Sequence, residues 1–200
     1  VTTLVAELIK AAGYSAGVGG NLGTPALDLL DGEKKDYYVL ELSSFQLETT
    51  CSLNCAASVI MNISPDHFDR HGDLESYAQA KSRIYQGSGA VVVNDDESLP
   101  FQIDFSGRQV IRFGLTKQNG LDVGLRQHNG EEWIASGDLL ILPVSKLKLQ
   151  GRHNVSNVLA ALGLVKALGI SLENMAAPLM QFAGLPHRMQ FVAEHDEVVW

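Results

Sequence analysis

The chain has few cysteines and no long apolar run, and each shortage excludes a class of protein. Its 200 residues include two cysteines, Cys51 and Cys55, too few for the disulfide framework of a small secreted domain. No second Cys or His pair stands near them at zinc-site spacing, so we interpret both as ordinary reduced thiols. The sequence also shows no membrane-spanning segment, signal peptide or lipidation motif. We therefore expect a cytoplasmic protein that does not bind a membrane.

Basic residues are scarce as well. The chain has 15 Lys and Arg against 23 Asp and Glu, a formal net charge of −8, and its cations are scattered. Proteins that bind nucleic acid present clustered positive charge, so we expect no nucleic-acid partner. An acidic protein can still bind an anionic ligand where a few cations, amides or metal ions converge.

Apolar runs and polar breaks alternate through the first 115 residues. The order of helical and strand patterns favours an α/β fold: a mostly parallel, doubly wound sheet with helices on both faces. The predicted helices are 1–12, closed by Gly13, then 25–30, opened by Pro25, and 76–85. The predicted strands are 37–42, 57–63, 90–94 and 110–113, with a further short apolar run at 16–20.

The pattern changes over 121–149, where short apolar segments are separated by turn residues. Asn129-Gly130 is a hairpin signal, so we expect a small antiparallel sheet there. Helices are predicted at 155–168 and 172–182, and strands at 190–193 and 198–200. Because the residues 184–188, Gly-Leu-Pro-His-Arg, resemble a hinge, we assign one domain to 1–183 and a hinge with the start of another to 184–200.

Polar clusters follow two of the predicted strands. Glu41 and Ser43 end the first, and Asp66, His67 and Asp69 follow the second. In an open parallel sheet, ligands bind beyond the carboxyl ends of the strands. A carboxylate and a neutral imidazole at neighbouring strand ends can share Mg²⁺ and leave positions for phosphate and water. The alternatives are a solvated carboxylate at position 41 and a helix cap at 66–69.

Other candidates have equally ordinary interpretations when each is taken alone. Lys81 lies on a predicted helix, where a lysine is usually solvated. Asn154 and Asn157 bracket a helix start, where asparagine is a favoured cap, and Arg188 follows a proline as a hinge cation would.

The joint occurrence of five motifs resembles the Mur ligase family. They appear in the family's order and approximate spacing and cover essentially all of the chain. The family carries an N-terminal domain for the UDP moiety, a central ATPase and a C-terminal Rossmann-like domain, so the resemblance implies that 1–183 is the central domain. The five motifs are Glu-Leu-Ser-Ser-Phe-Gln-Leu-Glu (41–48), Asp-His-Phe-Asp-Arg (66–70), Tyr-x-x-Ala-Lys-x-x-Ile-Tyr (77–85), Gly-x-His-Asn-x-x-Asn (151–157) and Gly-Leu-Pro-His-Arg (184–188).

The resemblance also implies an activity and a set of site residues. Gly19-Gly20-Asn21 and the segment 41–46 favour the family member that uses ATP to join D-glutamate to UDP-N-acetylmuramoyl-L-alanine through an acyl phosphate, as a monomer. By resemblance, the residues fall into three groups: Glu41, His67 and a carbamylated Lys81 for two Mg²⁺ ions and catalysis; Asn21, Ser43 and His67 for the acceptor substrate; and Asn154, Asn157 and Arg188 for ATP.

One family motif is missing from these residues. The sequence contains no Gly-x-x-Gly-Lys-Ser/Thr phosphate loop, which in the family directly precedes the helix that begins here at Val1. We therefore expect the chain alone to be inactive, and to self-associate where the strand of that loop would pair. Two alternatives stay open: a sibling Mur ligase or folylpolyglutamate synthase-like ligase, and a non-catalytic nucleotide-binding module.

Overall fold

The computed structural model describes residues 1–21, 23–116, 120–184, 194–195 and 198–199. Its first helix, α1, spans Thr2–Ala11 and buries the apolar stripe that includes Leu4 and Leu8. Gly13 has a φ of +92°, and its N–H donates to the Lys10 carbonyl oxygen at 2.9 Å. The left-handed conformation that glycine tolerates therefore ends this helix where the sequence predicts.

The next strands confirm the parallel α/β prediction. They form two ladders, β1 with β2 and β3 with β4 and β5, and every pairing within them is parallel. The strand β3 is shorter than predicted because the Ile60 N–H donates to the Tyr85 hydroxyl at 2.9 Å instead of to a neighbouring strand. The strands are β1 Ala16–Gly20, β2 Tyr37–Glu41, β3 Ala57–Val59, β4 Ala90–Asn94 and β5 Val110–Phe113.

Three helices follow β2 and β3: α2, Ser44–Thr49; α3, Phe68–His71; and α4, Leu74–Ser82, which a 3₁₀ turn extends to Tyr85. The sequence predicted only the last of them. The predicted helix at 25–30 is wrong, since a single 3₁₀ turn forms at Asp28–Leu30. Because Leu27 and Leu30 are 78% and 65% exposed, a longer helix would gain little from burial there.

The second half contains the predicted antiparallel sheet, formed by β6 Gly124–His128, β7 Glu131–Ser136 and β8 Leu139–Pro143. Asn129 and Gly130 have φ values of +52° and +79°, as a type I′ hairpin turn requires. This confirms the Asn-Gly signal.

Two helices complete the described core, α5 Arg152–Ala167 and α6 Ala176–Gln181. The helix α6 begins later than predicted because the Met175 N–H closes a separate turn on the Leu172 carbonyl oxygen. Strands β9 Glu194–His195 and β10 Val198–Val199 pair antiparallel. The strand β10 lies where one was predicted, at 198–200, while the strand predicted at 190–193 lies outside the described residues.

Helices α1 and α5 join the two parallel ladders. They pack against each other, α1 on β1 and β2 and α5 on β3, β4 and β5. A Cβ at Gly163 of α5 would lie 2.9 Å from the Val92 Cγ1, so this glycine permits the close approach of helix and sheet. Within the described residues, no helix is long and apolar enough to cross a membrane.

A cavity of about 420 Å³ separates β2 from β3 and is lined mainly by apolar side chains, among them Val39, Leu40, Val59 and Leu164. In the described part of the chain, β2 pairs only with β1 and β3 only with β4. Each ladder therefore has an unpaired edge facing this cavity.

We expect the isolated 200-residue chain to self-associate through these edges, because an unpaired apolar strand edge can pair with another chain. Sedimentation velocity should show a concentration-dependent dimer or larger species. Leu40→Lys should shift the chain toward monomer, whereas Leu30→Lys, at an exposed position on the 3₁₀ turn, should not. A wild-type chain that stays monomeric and unfolds cooperatively would contradict this expectation.

Candidate functional site

A second cavity, of about 450 Å³, lies at the carboxyl ends of β2 and β3. Its wall also includes Val1 and Thr2, at the start of α1. The cavity brings together all but two of the predicted site residues. Asn154 does not line it, and Arg188 lies outside the described residues. The predicted residues on its wall are Asn21, Glu41, Ser43, His67, Lys81 and Asn157.

The two glycines before Asn21 bring it against Glu41. Gly20 has a φ of +104°, and a Cβ there would collide with the Glu41 carbonyl oxygen; a Cβ at Gly19 would collide with the Thr24 carbonyl oxygen. Glycine is therefore required at both positions. The Asn21 backbone N–H donates to the Glu41 carbonyl oxygen at 2.6 Å, and its side-chain amide lies 3.5 Å from the Glu41 carboxylate. This loop fixes the carboxylate at the cavity wall.

Replacing Gly20 by alanine should lower the free energy of unfolding by about 1–3 kcal/mol, because it combines a strained φ with a backbone collision. Urea unfolding, at a concentration where the chain is monomeric, measures this change. Gly32→Ala is the matched control, since a Cβ there meets nothing within 4 Å. Equal stability of the two variants would show that the loop moves aside without cost.

Ser43 is both a wall residue and the cap of α2. Its hydroxyl accepts from the Gln46 N–H at 3.3 Å, and the Gln46 side chain accepts from the Ser43 N–H at 2.9 Å. This reciprocal pair is a capping box. Its signature, Ser-x-x-Gln at 43–46, is a sequence signal for a helix start and could have predicted α2. The cap orients Ser43 at the end of β2.

His67 has a φ of +53°, uncommon for a residue with a side chain. Asp66 holds it there: one carboxylate oxygen accepts from the His67 N–H at 2.8 Å, and the other lies 3.5 Å from the His67 Nε2. The motif does contain the cap position of a helix, α3, but His67 occupies it and makes no side-chain capping bond, so no aspartate caps this helix. The imidazole is 45% exposed and faces the cavity.

Lys81 lies near the end of α4 and also lines the cavity, so it is not simply a solvated helix residue. Its Nζ lies 5.1 Å from the centroid of the Tyr77 ring, a cation–π distance. Asp73 caps the start of this helix by accepting from the Ser76 N–H at 2.8 Å. Hydrogen bonds from the backbone and the side chain of Ser76 lower the pKa of the Asp73 carboxyl. The cap helps to fix the helix that carries Lys81.

Asn157 lines the cavity, and Asn154 lies behind it. The Asn157 amide donates to the Asn154 side-chain oxygen at 3.3 Å, and the Asn154 amide donates to the Gln150 carbonyl oxygen at 2.7 Å. The cap interpretation of these asparagines is wrong, because Gly151 holds the cap position of α5. Asn154 therefore orients Asn157.

The carboxylate and imidazole on the cavity wall suit a cation that is only partly enclosed by protein. In the described ranges, no group of three or more His, Cys, Asp or Glu side chains could hold a metal ion. Glu41 and His67 line the same cavity, however, and Mg²⁺ in proteins is typically held by one or two carboxylates together with waters and phosphate oxygens. These two residues fit such an ion.

Both cysteines are free, as predicted.

Comparison with known proteins identifies the family of the chain. A family profile described as the Mur ligase middle domain matches residues 1–165. The chain belongs to the Mur ligase family. A protein of Methylococcus capsulatus named UDP-N-acetylmuramoylalanine--D-glutamate ligase is 46% identical over 200 residues, which are 100% of this chain and 43% of that protein. The chain thus spans less than half the length of this relative.

Solved Mur ligase structures share the fold. MurF from Acinetobacter baumannii superposes with a TM-score of 0.72 at 23% identity, over 98% of this chain and 46% of that chain. MurF from Thermotoga maritima, solved in complex with ADP, superposes with a TM-score of 0.67 at 18% identity, over 96% of this chain and 48% of that chain. At these identities the likeness concerns the fold alone.

The contacts of Ser44, Glu48 and His71 beside the cavity were not anticipated from the sequence. The His71 side chain is only 2% exposed and bridges to α2. Its neighbours in space are distant in sequence, so no local pattern marks it.

Proposed function

We propose that this chain is the central domain of a cytoplasmic, monomeric ligase that adds D-glutamate to UDP-N-acetylmuramoyl-L-alanine in peptidoglycan precursor synthesis. The observation that carries the proposal is the single cavity lined by Glu41, Ser43, His67, Lys81 and Asn157. The 46% identical relative that bears the name of this ligase supports the choice of substrates.

The proposed reaction has two steps. A carboxylate oxygen of the acceptor attacks the γ-phosphorus of ATP, which releases ADP and leaves an acyl phosphate. The amine of D-glutamate then attacks the acyl carbon, loses a proton and displaces phosphate, so that an amide forms. Catalysis depends chiefly on positioning two anions and neutralising their charge.

The cavity residues divide between the two reactants. Glu41 and His67 would hold Mg²⁺, which supplies positive charge to phosphate oxygens when bound. Asn21 and Ser43, together with His67, orient the acceptor carboxylate. Asn157, which lines the same cavity, binds the nucleotide, with Asn154 behind it and with Arg188 from the proposed hinge.

Lys81 is proposed to act as a carbamate. Carbon dioxide adds to the neutral amine with loss of a proton, which converts a cation into a carboxylate-like group. An ammonium would repel a cation held by Glu41 and His67, whereas a carbamate supplies oxygens to the same region. Its place on the cavity wall supports this role.

The sequence contains no phosphate-loop motif, so a test of activity needs the complete polypeptide of its relatives' length, here called the full-length ligase. We expect it to release phosphate only when D-glutamate and UDP-N-acetylmuramoyl-L-alanine are both present. The isolated chain should hydrolyse no ATP, because its sequence lacks the phosphate-loop motif that would cradle the β- and γ-phosphates. Turnover by these residues alone at about 1 s⁻¹ or more would overturn that expectation.

Exchange of the substrates separates the alternatives. A sibling Mur ligase would release phosphate with another amino acid or a longer muramoyl peptide, and a folylpolyglutamate synthase-like ligase with a folate acceptor. A non-catalytic module would leave the full-length protein inactive with every pair.

A further inference from the structure

One buried histidine joins the three short helices beside the cavity. His71 ends α3, and its imidazole is only 2% exposed. The proposed function assigns it no role. Its contacts nevertheless link the segment that carries Ser43 to the segment that carries His67 and Lys81.

Both ring nitrogens of His71 face α2. The Nε2 lies 3.0 Å from the Ser44 hydroxyl oxygen, and the Nδ1 lies 3.5 Å from a Glu48 carboxylate oxygen. Ser44 and Glu48 are four residues apart, on one face of the helix. Glu48 also accepts from Arg70 at 3.0 Å, so its charge is held in place from α3 as well.

The faces of the His71 ring are packed between aromatic side chains. Phe45 of α2 stacks on it with a centroid distance of 5.7 Å and an interplanar angle of 9°, and the Tyr77 ring of α4 lies at 5.2 Å. Tyr77 in turn contacts the Lys81 ammonium at 5.1 Å and the His67 ring at 6.1 Å. Through Tyr77, His71 therefore connects α2 with the side chains of Lys81 and His67.

The helix α2 depends on such contacts because it has only six residues, too few to be stable alone. Its C-terminal end is held by Arg83, which donates to the Leu47 and Thr50 carbonyl oxygens at 2.7 and 3.0 Å. Its N-terminal end, next to the cavity, is held to α3 through Ser44 and His71. Loss of that bond would remove a contact that holds the end next to Ser43 against α3.

The Nδ1 faces the Glu48 carboxylate, and an Nδ1–H directed at that carboxylate leaves Nε2 to accept from the Ser44 hydroxyl. The direction of the Ser44 hydroxyl is then fixed. Ser44 is 3% exposed and belongs to the cavity wall, so its orientation contributes to the shape of that wall.

We propose that His71 is a positioning residue that fixes the Ser43–Ser44 wall of the cavity relative to the His67–Lys81 wall, and so sets the affinity for the muramoyl acceptor. This rests on the proposed function. His71 has no reacting role, since its side chain is only 2% exposed.

The decisive variant is His71→Phe in the full-length ligase, because phenylalanine retains the ring packing and loses both polar contacts. We expect the KM for UDP-N-acetylmuramoyl-L-alanine to rise about three- to tenfold, because the hydrogen bond between His71 and Ser44 is lost. The kcat and the KM for ATP should change by less than about twofold. His71→Gln should restore the acceptor KM, since its amide can still reach Ser44.

Ser44→Ala removes the same bond from the other side. It should raise the acceptor KM by a similar factor, and the double variant with His71→Phe should be no worse than the larger single effect. His128→Phe is the control, since His128 is exposed on β6 and should leave every constant unchanged. A histidine that only stabilised the fold would not separate the acceptor KM from the other constants.

An unchanged acceptor KM in His71→Phe, or independent effects of the two substitutions, would overturn the positioning role. The proposed function is tested separately with the wild-type enzyme, which must join D-glutamate to the acceptor whatever the variants show. Coupling between His71 and Ser44 is also measurable in the free energy of unfolding. If the two substitutions changed that free energy additively, the interaction between these side chains would equally be contradicted.

Discussion

Glu41→Ala and His67→Ala should each lower the kcat of the full-length ligase by about 10²–10³-fold at moderate magnesium, because each removes a proposed ligand and leaves phosphate charge uncompensated. Both side chains line the same cavity, and Glu41 is held there by the Asn21 loop. Coupled phosphate release, measured over a range of magnesium concentrations, should show that a higher concentration partly restores each variant.

Two controls separate this effect from general damage. Glu33→Ala removes a carboxylate that is 92% exposed, and His128→Ala removes an exposed imidazole on β6; neither should change kcat. Full activity of Glu41→Ala or His67→Ala at moderate magnesium would mean that the cation is bound elsewhere. Inactivity together with a lowered melting temperature would instead indicate a folding defect.

Long buried runs made the strands predictable. The prediction at 90–94 coincides with β4, whose Val91 and Val92 are fully buried, because a short run of small and β-branched apolar residues is typical of a strand covered on both faces. The ends of strands were less certain. The strand β3 stops when Tyr85, 25 residues later, takes the Ile60 N–H, and no pattern near position 60 indicates this.

Side chains at strand ends were predictable for a different reason. The carboxyl ends of parallel strands share one edge of a sheet, so Glu41 and the segment around His67 were expected to converge, and both line one cavity. The roles of individual groups were harder to predict. Asn154 orients Asn157, three residues on, instead of capping α5, and His71 reaches Ser44 across 27 residues.

Lys81→Ala should abolish most activity of the full-length ligase, and short carboxylic acids such as acetate should partly restore it. The proposed carbamate supplies oxygens beside the cation held by Glu41 and His67, and a small carboxylate can enter the space that the shortened side chain leaves. Lys81→Arg should stay inactive with or without acetate, since a permanent cation repels the metal ion. Phosphate release at increasing acetate concentration measures the recovery.

The outcome of this experiment depends on the chemical state of one nitrogen. Lys81 lies on the cavity wall with its Nζ 5.1 Å from the Tyr77 ring, a place that suits an ammonium as long as no cation is bound nearby. Lys34→Ala, at an exposed position, should be fully active and indifferent to acetate. If Lys81→Ala kept normal activity, or stayed folded and gained nothing from carboxylate, the ammonium would be the working form, and the charge near Glu41 and His67 would have to be balanced by substrate phosphates alone.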